Sequence, residues 1–202
     1  YGVQAVIRER EPDGTDVHSE EMHPGMAGFC AEKDMVQVPL AVMLKWEKLR
    51  CPDQQILIVE NPSIFAMLCA EDDGPHAYLC MNGQPRLAAL IALDLLAAAG
   101  TGVCYAGDLD PEGLLIGQKL ADYYPGAFCF VGMRAEDYRQ SMSQESISNR
   151  RLKMLERITH PQLVEAAALM RQYRRAGYQE LLIQKSNFGI LKYRDVCVGE
   201  TK

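Results

Sequence analysis

ILIVE at residues 56–60 and GVCYAGDLDPEG at residues 102–113 decide how this chain folds. Each is a short apolar run that ends on a carboxylate, Glu60 in the first and Asp108 in the second. Runs of four or five apolar residues without alternation read as strands buried on both faces, the pattern of a parallel sheet covered by helices. Working outward, Asn61-Pro62-Ser63 opens a helical SIFAMLCAE, and AYLCMNG reads as a second strand and turn. PRLAALIALDLLAAAG then forms an apolar helix closed by Gly100. LDPEG turns the chain from the GVCYAGD strand into LLIGQKLADYY, and AFCFVG supplies a fourth strand. Strands and helices thus alternate over residues 55–132, which predicts an α/β fold of the Rossmann-like kind, a roughly four-stranded parallel sheet flanked by helices.

The flanks are less regular. Residues 1–37 mix VQAVI with EPDG and HPGMAG and suit a hairpin or loop-rich N-terminal extension, or the remnant of an upstream domain, ahead of a main domain over 38–195. VPLAVMLKWEKL, residues 38–49, has near-helical apolar spacing and predicts a helix on the sheet with Trp46 in the core. After the fourth strand, residues 135–158 are polar and charged, HPQLVEAAALMRQYRRAG is an amphipathic helix, and YQELLIQKSNFGILKY reads as another. A first residue other than Met suggests a piece of a longer protein.

A net charge of −6 lacks the basic footprint of a free-standing duplex binder, so a DNA substrate would need grip from other domains or subunits. The seven cysteines are odd in number and several sit in apolar runs, which reads as reduced, buried thiols in a cytoplasmic protein. No CxxC pair or Cys/His cluster has zinc spacing, no run has the length of a membrane span, and the start is not a signal peptide. Without GxGxxG after the first strand, or GxxxxGK[ST] anywhere, a nucleotide-binding reading is disfavoured.

In an open parallel sheet, ligands bind beyond the carboxyl ends of the strands, where both acidic signals fall. Asp110 lies two residues past Asp108, and Pro111-Glu112-Gly113 turns into the next helix, so several carboxylates gather in one turn. Such a set suits a hard, oxygen-seeking Mg²⁺, with Mn²⁺ as a substitute. Asp110 or Glu112 can equally serve as a helix cap. A Glu closing an ILIV run is harder to account for without a partner, a metal or solvent at the strand tip. Asn82, Gln84 and Arg86, at another strand end, can orient a phosphate or simply form a turn with Pro85 starting a helix. Arg150, Arg151 and Lys153, and Arg171, Arg174 and Arg175, can contact a phosphate backbone or form solvated helix faces.

A strand ending in Glu followed by a later strand ending in DxD resembles a Toprim domain, the domain of topoisomerases, primases and certain nucleases. The surrounding words LIVENPSIF, CMNGQP and YAGDLDPEGLLI, in this order, resemble the C-terminal Toprim-like domain of the JetD plasmid-defence nucleases of Wadjet systems, and more distantly the A subunit of type VI topoisomerases. The likeness covers roughly residues 40–191. It implies that Glu60 is the general acid/base or a metal-linked carboxylate, that Asp108 and Asp110 are magnesium ligands, and that Glu112 is an additional one. It also implies a metal-dependent DNA nuclease in a plasmid- or phage-defence complex, with DNA and SMC-like ATPase subunits as partners, a homodimer among the assemblies it allows, and no membrane. Relatives often carry a Gln/Glu-Glu pair late in the domain, and Tyr178-Gln179-Glu180 stands in a comparable place, which makes Glu180 a further candidate unless it lies on a solvated helix face. Many relatives have a GDFDWDG-type turn where this chain has GDLDPEG; the carboxylates persist, while substrate contacts near the turn differ. The topoisomerase likeness would require a nucleophilic tyrosine from a preceding winged helix. None is evident here, and Tyr105, Tyr123 and Tyr124 read as packing residues. A non-catalytic Toprim scaffold or partner-binding module is the remaining alternative.

Overall fold

The computed structural model describes residues 1–10, 16–72 and 74–186. The chain opens with a hairpin of β1 (Gln4–Arg10) and β2 (Asp16–Met22), followed by α1 (Pro24–Ala31), a single helical turn α2 (Leu40–Met43) and β3 (Trp46–Arg50). The central unit runs β4 (Gln55–Val59), α3 (Pro62–Ala70), β5 (Tyr78–Cys80), α4 (Leu87–Ala98), β6 (Gly102–Ala106), α5 (Pro111–Tyr123) and β7 (Phe128–Phe130). It is followed by α6 (Ala135–Ser141), β8 (Met142–Ser146), α7 (Asn149–Leu152), α8 (Pro161–Tyr173), β9 (Arg175–Gly177) and α9 (Gln179–Ser186).

The expected four-stranded parallel sheet is present in the order β5-β4-β6-β7. Ile56, Leu57, Ile58 and Val59 are all fully buried, as a central strand covered on both faces requires. Alternate residues serve the two faces. Leu57, Val59, Cys104 and Ala106 pack with Ile64 and Leu68 of α3, whereas Ile56, Ile58, Val103 and Tyr105 join the larger core with Leu93 and Leu96 of α4 and Leu114 and Leu120 of α5. Helices therefore flank the sheet on both sides, consistent with a Toprim or Rossmann-like fold. The chain steps from β4 to one neighbour, β5, and then returns past β4 to β6, so the direction of winding reverses between β4 and β6. In open parallel sheets such a reversal is where the connections diverge and ligands bind beyond the strand tips. Val59 pairs with Ala106 at the last rung, which sets Glu60 and Asp108 side by side beyond it.

The helix expected over residues 38–49 is not formed. Only Leu40–Met43 is helical, and Trp46–Arg50 is a strand that pairs antiparallel with β1, making a three-stranded sheet β2-β1-β3. Trp46 is buried as expected, and Leu49 with it. The misreading has a definite cause. In a regular strand, residues three apart face opposite ways, but here the register slips between Ile7↔Trp46 and Val6↔Lys48, and this bulge turns Trp46 and Leu49 to the same core. An (i, i+3) apolar spacing thus arises without a helix. Of the two forms expected for the early residues, a hairpin or loops, β1 and β2 make the hairpin, and it is joined to β3 by backbone pairing.

Beyond the central sheet, β8 and β9 pair antiparallel, an arrangement that the polar composition of residues 135–158 does not reveal. Arg174, in the left-handed region at φ 56°, caps the end of α8 and leads into β9. The continuation of the last expected helix past Ser186, Cys197, and the end of the expected domain at 195 lie outside the described residues. Among the described residues no helix is long and apolar enough to cross a membrane.

The packing of α4 on the sheet supplies a stability test. Leu93→Ala, at a fully buried position, is expected to cost about 3 kcal/mol through lost burial and the cavity left behind. Leu87→Ala, on the same helix but 60% exposed, should cost under about 0.5 kcal/mol. Urea unfolding of the two variants measures both, and equal losses would contradict this arrangement of the core.

Candidate metal centre

Glu60 directly follows β4 and is only 8% exposed. Its Oε2 accepts a hydrogen bond from the Asp108 amide at 3.3 Å, tying the tips of β4 and β6 together. Its Oε1 is buried and has no hydrogen-bond partner among the described residues, and the same holds for the hydroxyl of Tyr105. That hydroxyl stands beside the Glu60 carboxylate and favours its charged form, but the two are not aligned as a hydrogen bond. Gly107 makes this approach possible: a Cβ there would lie 2.7 Å from the Tyr105 hydroxyl and 2.9 Å from Glu60 Oε2.

The GDLDPEG turn distributes its carboxylates in different ways. Asp108 Oδ1 accepts from the Gln179 amide at 3.0 Å. Asp110 caps α5, its Oδ1 accepting from the Gly113 amide at 2.7 Å, so the capping alternative raised by the sequence is realised. Gly113 is obligatory, because a Cβ would sit 2.2 Å from the Asp108 carbonyl oxygen. The second oxygen of Asp110, Oδ2, accepts from Arg151 Nη2 at 2.5 Å. Glu112 takes Arg151 through Nε at 3.0 and 2.9 Å and through Nη2 at 2.7 Å. Glu145 takes Nη1 at 3.2 Å. Arg151 is thus gripped by three carboxylates, and Glu112 above all holds it firmly charged.

Two connections deliver these partners. Gln118 of α5 binds the carbonyl of Arg157 at 2.9 Å and the amides of Thr159 and His160 at 2.7 and 3.0 Å, which pins the segment after α7 across α5. On the other side, Gly177 of β9 donates to the Leu109 carbonyl at 2.8 Å, so the chain entering α9 is fastened to the acidic turn. Glu180 is thereby brought next to the centre, where its Oε1 accepts from Asn61 Nδ2 at 2.6 Å and its charge is felt by Asp108. Asn61 also caps α3, its Oδ1 accepting from the Ser63 amide at 2.8 Å.

Glu60, Asp108, Asp110 and Glu112 therefore gather at the β4 and β6 tips, and Glu180 joins them from α9. Asn82, Gln84 and Arg86 lie at the tip of the edge strand β5 with exposed side chains. Their turn meets the centre through its backbone, Gly83 donating to the Glu60 carbonyl at 3.2 Å, with Asn82 in the left-handed region at φ 54°. Sequence reasoning did not single out Arg151 from its basic neighbours, nor Asn61 or Tyr105 as parts of the site. The only sequence signal for Arg151 is the need of clustered carboxylates for a counter-cation, and a separation of 39 to 41 residues hides which cation answers it.

Electrostatics mark the same place. Burial pushes the Glu60 carboxyl from its usual 4.5 up to about 7, Asp108 and Asp110 adding to the rise while Tyr105 and the Asp108 amide oppose it. Burial likewise raises Asp108 from 3.8 to about 6, against the Gln179 amide and with help from Glu180 and Asp110. Asp110 is raised by burial too, with the Gly113 amide and Arg151 opposing. Raised carboxylates of this kind are short of positive charge. The donor set, hard carboxylate oxygens with a buried unpartnered Oε1 on Glu60, fits the chemistry of a divalent magnesium or manganese ion. Among the described residues, however, no three Asp, Glu, His or Cys side chains converge tightly enough to hold a metal ion as they stand. Glu60 and Asp108 are at hand, while Asp110 and Glu112 are engaged by Arg151.

A carboxyl whose pKa is higher folded than unfolded binds more protons in the native state, so its contribution is present below the unfolded pKa and is lost as pH rises through the folded one. In chelator, the protein is expected to lose stability between pH 4.5 and about 7 on account of Glu60, on the order of 3 kcal/mol for a shift of this size. Glu60→Gln should flatten that slope and unfold later than wild type at pH 8. An unchanged slope in chemical denaturation across the window would count against the buried, cation-poor environment of Glu60.

A family model described as protein of unknown function C-terminus (DUF2399) matches residues 36–186. No curated protein matches the chain. The matched span covers well over half of the chain and takes in both strand tips, the acidic turn, Arg151 and Glu180. The chain therefore belongs to the family described as protein of unknown function C-terminus (DUF2399).

Proposed function

We propose that this chain is the catalytic domain of a magnesium-dependent DNA endonuclease of the Toprim type, related to the JetD subunits of Wadjet plasmid-defence systems. The observation that carries the reading is the pairing of Glu60 and Asp108 at the winding reversal of the sheet, with Glu60 Oε1 buried and unpartnered and both carboxyls raised. Glu60, Asp108 and Asp110 would hold the ion, with Glu112 and Glu180 beside them. A bound divalent ion supplies neutralisation of charge on the phosphate oxygens and activation of water.

The chain's own residues supply the rest. Glu60 would help hold the ion or, where Asp108 and Asp110 hold it, take or return a proton; the Tyr105 hydroxyl beside it favours the charged form. Asp108 is oriented by the Gln179 amide and Asp110 by the Gly113 amide, so two carboxylates are held in place before any ligand arrives. Asn82, Gln84 and Arg86 line the exposed approach along β5, where a DNA backbone would run. With a net charge of −6, grip on DNA would come from partner subunits, and the resemblance suggests an SMC-like ATPase complex.

One observation favours a second reading, a Toprim scaffold without catalysis: Arg151 already neutralises Asp110 and Glu112. Incubation of supercoiled plasmid with the full-length protein and its partners in Mg²⁺ or Mn²⁺ separates the two. Wild type is expected to nick or linearise the plasmid in a chelator-sensitive way. Glu60→Ala and Asp108→Ala should each lose at least about a hundredfold in rate, the scale of a missing acid–base group or metal ligand. Equal activity in all three would remove the proposed centre, and inactivity of all three would leave the scaffold.

A further inference from the structure

The grip on Arg151 is uneven, and the unevenness is informative. Glu112 engages it through Nε and Nη2, and Glu145 through Nη1, whereas Asp110 holds it by the single contact of Nη2 with Oδ2. Glu112 and Glu145 alone would keep the guanidinium where it is. The contact with Asp110 is the one that a competing cation would break, since Asp110 is also the carboxylate nearest in sequence to Asp108. The Arg151 side chain is 26% exposed, so part of it faces solvent. The neighbouring Glu60 Oε1, buried and without a hydrogen-bond partner among the described residues, is an independent sign in the same cluster that a cation is called for there.

We infer that Arg151 is the resident counter-cation of the acidic centre and its phosphate-binding residue: a divalent ion displaces it from Asp110, and the Nη2 N–H released from Asp110 donates to an oxygen of the substrate phosphate while Glu112 keeps the other. Glu112 and Glu145 are positioning residues that act through it. This rests on the metal-centre reading above. It explains why the carboxylates do not converge as they stand, because a cation already occupies part of their charge. A planar guanidinium suits both partners, since it binds carboxylate and phosphate oxygens with the same donor geometry. The exchange leaves no charge uncompensated in a half-buried site, where an unpaired one would be costly.

The test compares wild type with Arg151→Gln and, to keep charge and fold, Arg151→Lys, each as metal-free full-length protein. Mn²⁺ alone is titrated calorimetrically, and supercoiled plasmid binding is then measured in Ca²⁺ over a range of salt. Arg151→Gln is expected to bind Mn²⁺ several-fold to about tenfold more tightly, on the scale of one ion pair removed from competition. It should bind plasmid more weakly, with a salt slope shallower by about one, and Arg151→Lys should fall between. Mn²⁺ binding by wild type that is unchanged or weakened in both variants overturns the inference and leaves the metal centre standing. Absence of Mn²⁺ binding in all three overturns both.

Discussion

Like charges collected at the end of a sheet must find a cation, and much of this molecule is arranged around that requirement. β4 and β6 are adjacent because the winding reverses between them, and their tips bring Glu60 to the Asp108 amide. Asp110 and Glu112 follow within the same turn because α5 starts there, and the α5 cap consumes one oxygen of Asp110. The cation here is Arg151 of α7, and the segment that follows α7 is fastened across α5 by Gln118. On the opposite side, the bridge between Leu109 and Gly177 brings in α9, whose first residues reach Asp108 and Asn61. The later third of the chain thus closes the centre and is part of its construction.

The central sheet was legible because burial on both faces leaves a simple trace, uninterrupted apolar runs that stop at a carboxylate. Leu57, Val59, Ile56 and Ile58 need no partner beyond generic apolar packing, so local sequence suffices to place them. The acidic turn was legible for a related reason: Asp108, Asp110 and Glu112 are neighbours in sequence and remain neighbours in space. Where a contact depends on register or distant pairing, local residues no longer decide it. Trp46 and Leu49 show this for the fold, since a bulge against β1 produces the spacing of a helix. Arg151 shows it for the site, since nothing local sets it apart from Arg150 or Lys153 beside it.

The same contrast separates Glu180 from Asn82, Gln84 and Arg86. Glu180, a candidate from its place beside Gln179, reaches the acidic centre through the fastening at Gly177. The other three follow an edge strand, stay exposed, and touch the centre through the backbone of Gly83.

The most direct measurement of the central claim is the anomalous difference density of Mn²⁺ in a crystal of the protein soaked with it. The account predicts a peak bounded by Glu60, Asp108 and Asp110, with Arg151 released from Asp110 and still held by Glu112 and Glu145. A crystal saturated with Mn²⁺ in which Arg151 remains on Asp110 and no peak lies at the β4 and β6 tips would contradict it.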